Sequence, residues 1–172
     1  MGKITFIIGG ARSGKSQYAI KLAKEKAKRV AFIATCQGLD KEMRQRIMIH
    51  KKSRPLHWRT FEVAENITQL LKEISSKFDV IIIDCLTLLI SNLLLKGTSE
   101  DSIEKQINGM MSILIKIKAS SIIVSNEVGL GIVPENKLAR DFRDIAGRVN
   151  QIVAGKSNEV FFMFSGIPLK IK

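Results

Sequence analysis

The 172-residue chain is poor in acidic residues, aromatic residues, cysteine and long apolar runs. Its 28 basic residues outnumber 16 acidic ones, giving a formal net charge of +12, yet only 6% of residues are aromatic. Single-stranded nucleic acid is bound by basic grooves that also carry aromatic side chains for stacking. Here the lysines are scattered, as in Lys21, Lys24, Lys26 and Lys28. We interpret them as a solvated surface whose field attracts polyphosphates, and expect no nucleic-acid partner.

The scarcity of cysteine and of long apolar segments bounds the class of protein. Cys36 and Cys85 are far apart and lack metal-ligand spacing, which favours reduced structural thiols. No apolar run reaches the roughly 18 residues of a membrane span, and the N-terminus has no signal-peptide pattern. Hydrophobic residues make up 45% of the chain, spread along its length. We therefore expect one cytoplasmic domain over residues 1–172, with no membrane span.

The segment from residue 9 to residue 16 matches G-x-x-x-x-G-K-[ST], the phosphate-binding loop (P-loop) of nucleoside triphosphatases. It lies between the apolar run Ile4–Ile8 and a helical pattern, which is the strand–loop–helix context that the motif requires. Backbone N–H groups of such a loop bind phosphate oxygens, the lysine reaches the outer phosphates, and the serine hydroxyl binds Mg²⁺. The predicted site consists of Gly9, Gly10, Ala11, Arg12, Ser13, Gly14, Lys15 and Ser16.

Strand and helix patterns alternate along the whole chain, which indicates an α/β fold with a mostly parallel sheet flanked by helices. The predicted strands are Ile4–Ile8, Val30–Ala34, Leu56–Glu62, Phe78–Asp84, Ser121–Ser125 and Val160–Phe164. The predicted helices are Ser16–Lys28, one capped by Asp40 and ending at His50, Ala64–Lys77, Leu86–Leu95, Ile103–Lys118 and Asn136–Ala154. The apolar segment Leu86–Leu95 fits either a buried helix or a surface that binds a partner.

Several polar residues follow predicted strands, at the sheet edge where ligands of open α/β sheets bind. Thr35 and Cys36 follow the second strand, and Asp84 ends a strand with four apolar residues in a row. An acid there suits the second Mg²⁺ element of a P-loop enzyme, although it would also serve as a helix cap.

His50 and Glu62 suggest the chemistry beyond the P-loop. His50 lies among Arg46, Lys51, Lys52 and Arg54, whose charges favour a neutral, nucleophilic imidazole beside a triphosphate. An exposed histidine on a basic helix is the alternative. The Glu62 carboxylate would accept hydrogen bonds from N1–H and N2–H₂ of guanine, or it would simply be solvated.

These residues and four further motifs resemble the bifunctional adenosylcobinamide kinase / adenosylcobinamide-phosphate guanylyltransferase family. The resemblance covers nearly the whole chain. In order, it is carried by Gly9–Ser16, Arg46-Ile-x-x-His50-Lys-x-x-Arg54-Pro55, His57-Trp58-Arg59-Thr60, Asn126–Asn136, Arg143–Gln151 and Ser165-Gly166-Ile167.

The resemblance implies two reactions in cobalamin assembly. A phosphoryl group moves from ATP or GTP to the aminopropanol hydroxyl of adenosylcobinamide, and GMP then moves from GTP, through a histidine, to the cobinamide phosphate. His50 matches the guanylylated histidine. Implied nucleotide contacts are Gly9 to Ser16, Ala34, Thr35, Cys36, Lys51, Lys52, Ser53, Arg54, Glu62 and Asp84; implied Mg²⁺ ligands are Ser16 and Asp84. A RecA-like fold and a homotrimer are also implied.

Two residues depart from what many relatives have, and some alternatives stay open. Cys36 stands where serine is expected and Asp84 where some relatives have glutamate, although a backbone contact and Mg²⁺ binding tolerate both changes. The base for the cobinamide hydroxyl is undecided between Asp84 and Glu127. The residues alone also fit a small-molecule kinase without the histidine step, or a nucleic-acid-dependent RecA-like ATPase.

Overall fold

A computed structural model describes residues 1–38 and 41–172, so the predicted cap Asp40 lies outside the described residues. The strands are β1 (Ile4–Gly9), β2 (Val30–Ala34), β3 (Arg59–Glu62), β4 (Val80–Asp84), β5 (Ser120–Asn126), β6 (Glu159–Phe164) and β7 (Ile167–Lys170). The helices are α1 (Lys15–Lys26), α2 (Lys41–Lys52), α3 (Ile67–Ile74), α4 (Leu86–Leu95), α5 (Glu100–Lys116) and α6 (Lys137–Lys156).

The strands in the described ranges form one seven-stranded sheet in the order β3-β2-β4-β5-β1-β6-β7. All neighbouring pairs are parallel except β6 and β7. The prediction of a mostly parallel sheet is therefore confirmed. Its topology brings the carboxyl ends of β2, β4, β5 and β1 together at one edge, where Ala34, Asp84, Asn126 and Gly9 lie.

Helices cover both faces of the sheet, which explains why the central strands are continuous apolar runs. One face packs against α3, α4, α5 and α6 through a large core that includes Phe6, Ile81 and Leu86. The other face packs against α1 through a smaller core that includes Ile7 and Phe32. In residues 1–38 and 41–172 we find no helix with the length and apolar character needed to cross a bilayer.

Helix α2 and strand β3 have other ends than the sequence predicts, and α4 decides between the two alternatives left open for its segment. Helix α2 continues to Lys52 instead of ending at His50, because Pro55 restricts only the residue directly before it. The predicted strand Leu56–Glu62 begins at Arg59, after a turn in which the Trp58 amide donates to the Pro55 carbonyl (3.0 Å). Helix α4 is largely buried, so the apolar segment Leu86–Leu95 belongs to the core and not to a partner surface.

Strand β7 was missed by the sequence analysis. It pairs antiparallel with β6, and only Ser165 and Gly166 connect the paired residues Phe164 and Ile167. Both connecting residues have positive φ, 48° and 88°, as in the two-residue hairpin turns that match strand twist. The Gly166 amide donates to the Ser13 carbonyl (3.0 Å), so this hairpin supports the P-loop.

Gly9 is where β1 passes closest to β6, and a side chain there is expected to destabilise the protein. A Cβ on Gly9 would lie 2.7 Å from the backbone oxygen of Met163, its partner in the β1–β6 ladder. We expect Gly9→Ala to lower the free energy of unfolding by about 1–3 kcal/mol in urea titrations. Gly147→Ala is the control, because a Cβ there meets nothing within 4 Å. In helix α6 that change should stabilise by roughly 0.5–1 kcal/mol. Equal stability of the two variants would contradict the argument.

Candidate active site

The P-loop joins the end of β1 to the start of α1. Gly14, directly before the helix, has φ 91°, a left-handed conformation that glycine adopts without the strain of a side chain. No side chain caps this helix start, so its first N–H groups remain available to an anion. Arg12 also has a left-handed φ of 56° and is exposed, as is Ala11. The loop therefore has the geometry of a phosphate cradle.

Lys15 folds back into this loop. Its ammonium group donates to the Gly10 carbonyl (2.5 Å) and to the Ser13 hydroxyl (3.3 Å), and the residue is only 7% exposed. Burial lowers the pKa of Lys15, and the nearby charge of Asp84 acts in the opposite direction. A phosphate in the loop would offer this ammonium group stronger, charge-assisted partners than a carbonyl and a hydroxyl.

Asp84, at the carboxyl end of β4, lies where several candidate residues converge. The Ser16 hydroxyl lies close enough to interact with its carboxylate. Burial raises the pKa of Asp84, and the charges of His50, Arg54 and Lys15 act against that rise. These interactions bring the P-loop, the end of β4 and the segment that follows His50 to one site.

Ser16 and Asp84 fit the protein side of a nucleotide-dependent Mg²⁺ site. Both supply the oxygen ligands that Mg²⁺ prefers, and the two side chains are near enough to interact. Within the described residues, no cluster of three or more histidine, cysteine or acidic side chains suits a metal ion.

The last turn of α2 presents His50 and the basic residues after it. His50, Lys51, Lys52 and Ser53 are all exposed. The Ser53 hydroxyl donates to the His50 carbonyl (2.9 Å), which fixes the turn that ends the helix. His50 is thus accessible to a ligand, while the second histidine, His57, lies exposed in the turn before β3.

Arg54 is held against the sheet by an aromatic ring. Its guanidinium carbon lies 3.7 Å from the centre of the Phe32 ring, a cation–π contact. Burial lowers the pKa of Arg54, against the charges of Asp84 and Glu62. Its Nε atom is buried and has no hydrogen-bond partner. This N–H is therefore available to an anionic ligand.

Glu62, the proposed guanine reader, forms an ion pair with Lys51. Both side chains are about half exposed, 59% and 49% respectively, so the pair contributes little to stability. Glu127, the other acidic candidate, turns back on its own loop and accepts from the Gly129 amide (2.6 Å). Glu62 is therefore available to a ligand once it releases Lys51, whereas Glu127 is held within the loop after β5.

Ala34, Thr35 and Cys36 lie at the end of β2, beside Asp84. Ala34 is buried, and its carbonyl accepts from the Val63 amide (2.9 Å). Thr35 is 0% exposed, so its side chain does not line the ligand space, and the nucleotide contact implied for this residue stays a prediction. Cys36 is half-buried. Burial raises the pKa of Cys85 to about 11, so this thiol is neutral at physiological pH.

Two residues at the site were not found from the sequence. Asn92 of α4 donates to the carbonyls of Thr35 (2.9 Å) and Ala64 (3.1 Å). Thr87 of the same helix accepts from the Asn126 amide group (3.0 Å). Both belong to the three polar residues of the mostly apolar segment Leu86–Leu95, the third being Ser91, and that contrast is the signal that could have identified them.

Comparisons with known proteins give consistent results. Residues 5–171 match the family model described as cobinamide kinase / cobinamide phosphate guanyltransferase. The bifunctional adenosylcobalamin biosynthesis protein CobU of Salmonella typhimurium is 44% identical, with 96% of this chain and 98% of that protein covered. The corresponding protein CobP of Pseudomonas aeruginosa is 39% identical, with 96% and 95% covered. A crystal structure of the RadB recombinase matches with a TM-score of 0.57 over 94% of this chain and 74% of its own, at 13% identity. That likeness shows the RecA-like P-loop fold alone.

Proposed function

Because the chain belongs to the cobinamide kinase / cobinamide phosphate guanyltransferase family, we propose that both of its reactions use one triphosphate site at the carboxyl edge of the sheet. The protein is a bifunctional enzyme that phosphorylates adenosylcobinamide and then transfers a guanylyl group to the product. The observation that supports a shared site is the position of Asp84, whose carboxylate interacts with the Ser16 hydroxyl and with the charges of Lys15, His50 and Arg54.

For the kinase step, the chain's task is to position the phosphates and neutralise their charge. The hydroxyl of the aminopropanol arm attacks the γ-phosphorus of ATP or GTP, the bond to the β–γ bridging oxygen breaks, and the nucleoside diphosphate leaves. The P-loop amides hold the phosphate oxygens, and Lys15 moves from the Gly10 carbonyl to the outer phosphates. The hydroxyl proton leaves as the bond forms, and its acceptor is either Asp84, which interacts with Ser16, or Glu127, which accepts from the Gly129 amide.

The implied Mg²⁺ would be held by Ser16 and Asp84 together with phosphate oxygens. When bound, it neutralises charge that develops on those oxygens. Either nucleotide satisfies the P-loop, because the loop contacts only phosphates. The base is read elsewhere, and for GTP we assign that role to Glu62, which would exchange Lys51 for the N1–H and N2–H₂ donors of guanine.

For the guanylyl step, His50 is the nucleophile. An imidazole nitrogen attacks the α-phosphorus of GTP, the bond to the α–β bridging oxygen breaks, and pyrophosphate leaves. A phosphate oxygen of cobinamide phosphate then attacks the same phosphorus, and the P–N bond breaks to release His50 and adenosylcobinamide-GDP. The exposure of His50 permits both attacks. Arg54, with its unpartnered Nε, supports the α-phosphate.

GTP labelled at two positions tests the two steps separately. With γ-labelled GTP and adenosylcobinamide, the label should appear in the corrinoid and not in the protein. With α-labelled GTP alone, the protein itself should become labelled, through a bond that acid cleaves and alkali does not, as for a phosphoramidate. Addition of cobinamide phosphate should chase that label into the corrinoid. A protein that carries γ-label, or an α-label that cannot be chased, would refute this scheme.

We also propose a homotrimer of single-domain subunits that acts in the cytoplasm. Exposed apolar side chains support assembly: Leu130 and Ile132, in the loop after β5, are 80% and 96% exposed. The edge strand β7 also presents Ile167 and Leu169 to solvent, and such edges are commonly covered. Reduced Cys36 and Cys85 agree with a reducing compartment. Sedimentation equilibrium would test the trimer.

A further inference from the structure

Thr35 fixes the backbone that carries Asp84. The last paired residues of β2 and β4 are Ala34 and Asp84, so the sheet ladder ends at the candidate Mg²⁺ ligand. Beyond that point the Thr35 amide donates to the Asp84 carbonyl (3.1 Å). The Thr35 hydroxyl donates to the Cys85 carbonyl (2.7 Å) and accepts from the Cys85 amide (2.9 Å). Both peptide groups that follow the Asp84 α-carbon are thereby held by one residue.

The polar groups of Thr35 are all engaged. Its amide and hydroxyl bond to residues 84 and 85, and its carbonyl accepts from Asn92 (2.9 Å). Asn92 also donates to the Ala64 carbonyl (3.1 Å), which ties Thr35 to the segment after β3. With 0% exposure, Thr35 offers a bound nucleotide neither surface nor a vacant donor. Its hydrogen bonds to residues 84 and 85 therefore act on the end of the neighbouring strand β4.

We propose that Thr35 is a positioning residue that holds the Asp84 carboxylate toward Ser16, and that Asn92 supports it from α4. The inference rests on the proposed role of Ser16 and Asp84 at the Mg²⁺-nucleotide site. Without the hydroxyl, the Cys85 amide would lose its partner. The Cys85 carbonyl would keep only the Leu89 amide of α4 (3.3 Å), so of the bonds from β2 to this turn only that of the Thr35 amide would remain. Asp84 would then be free to rotate away from Ser16, and Mg²⁺ would strengthen nucleotide binding less.

Thr35→Val tests this directly, because valine keeps the shape and the amide but lacks the hydroxyl. The probe is a fluorescent non-hydrolysable GTP analogue, whose dissociation constant is measured in EDTA and in saturating Mg²⁺. In wild type, Mg²⁺ should tighten binding. In Thr35→Val we expect affinity in EDTA to stay within about twofold of wild type and the gain from Mg²⁺ to fall by about tenfold, the usual effect of losing a group that orients a metal ligand.

Two variants serve as controls. Thr35→Ser restores the hydroxyl and should restore the gain from Mg²⁺. Thr5→Val removes the hydroxyl of another fully buried threonine, whose Oγ1 has no hydrogen-bond partner. That change should leave the gain unchanged and not lower the melting temperature. If Thr35→Val does not fold, Asn92→Ala replaces it, with the same direction of effect expected.

The outcomes separate this inference from the proposed function. If wild type gains affinity from Mg²⁺ and folded Thr35→Val gains as much, the positioning role is wrong. The positioning role is also wrong if Thr35→Val loses affinity for the GTP analogue equally in EDTA and in Mg²⁺, because that result indicates a general loss of structure. If wild type itself gains nothing from Mg²⁺, the proposed Mg²⁺-nucleotide site is at fault, and the positioning role falls with it.

Discussion

Replacing His50 with asparagine should reduce guanylyl transfer by at least about a thousandfold and leave the kinase step within about threefold of wild type. The reason is that only the guanylyl step forms a bond to the enzyme. In the kinase step the substrate hydroxyl attacks phosphorus directly, and positioning by the P-loop suffices. The substitution should also be harmless to the fold, because His50 is exposed in the last turn of α2.

The chain supplies a matched control, since it has only one other histidine. His57 is also exposed, and it lies seven positions later in the turn before β3. His57→Asn should keep both activities within about threefold of wild type, because surface substitutions away from a site change little. The measurements are corrinoid product from γ-labelled GTP and acid-labile protein label from α-labelled GTP. If the label survives in His50→Asn but is lost in His57→Asn, the nucleophile is His57 and our assignment of His50 is wrong.

The sequence predicts the elements of this fold better than it predicts the ends of those elements. Continuous apolar runs identify β2 and β4 because both faces of these strands are buried. The short edge strand β7 is exposed along its whole length, so it lacks a continuous apolar run. Its only sequence signal is the turn pair Ser165-Gly166. The end of α2 was predicted too early because basic residues after His50 resemble a loop, although lysine is a good helix former and its charge suits a helix C-terminus.

The site is predictable where it is local in sequence and unpredictable where it depends on strand register. The P-loop is a contiguous motif, and Asp84 is recognised by its place after an apolar strand. The hydrogen bonds of Thr35 to Cys85 join residues 50 positions apart, and only the pairing of β2 with β4 brings them together. Sequence and resemblance therefore identify Thr35 as near the nucleotide, while the fold reveals that its side chain faces the neighbouring backbone.

Lys15→Ala should lower both activities by at least about a hundredfold, the cost of removing one preorganised charge from a transition state. In the free enzyme the Lys15 ammonium group donates to the Gly10 carbonyl and the Ser13 hydroxyl, inside the loop that a triphosphate would enter. It therefore already lies within the phosphate-binding loop and needs little rearrangement to reach a bound phosphate. Lys21→Ala is the control: Lys21 lies on the same helix but is exposed, and both activities should stay within about twofold of wild type.

The Lys15 variant also tests whether one loop serves both reactions. The γ-phosphorus reacts in the kinase step and the α-phosphorus in the guanylyl step, yet in each case the departing group, a diphosphate or pyrophosphate, carries the developing charge. A loop that holds the β- and γ-phosphates stabilises both departures, so the two rates should fall together in Lys15→Ala. If label from α-labelled GTP still reaches His50 at the wild-type rate while the kinase step is lost, the guanylyl donor must bind outside the P-loop. In that case Ser16 and Asp84 would belong to the kinase site alone.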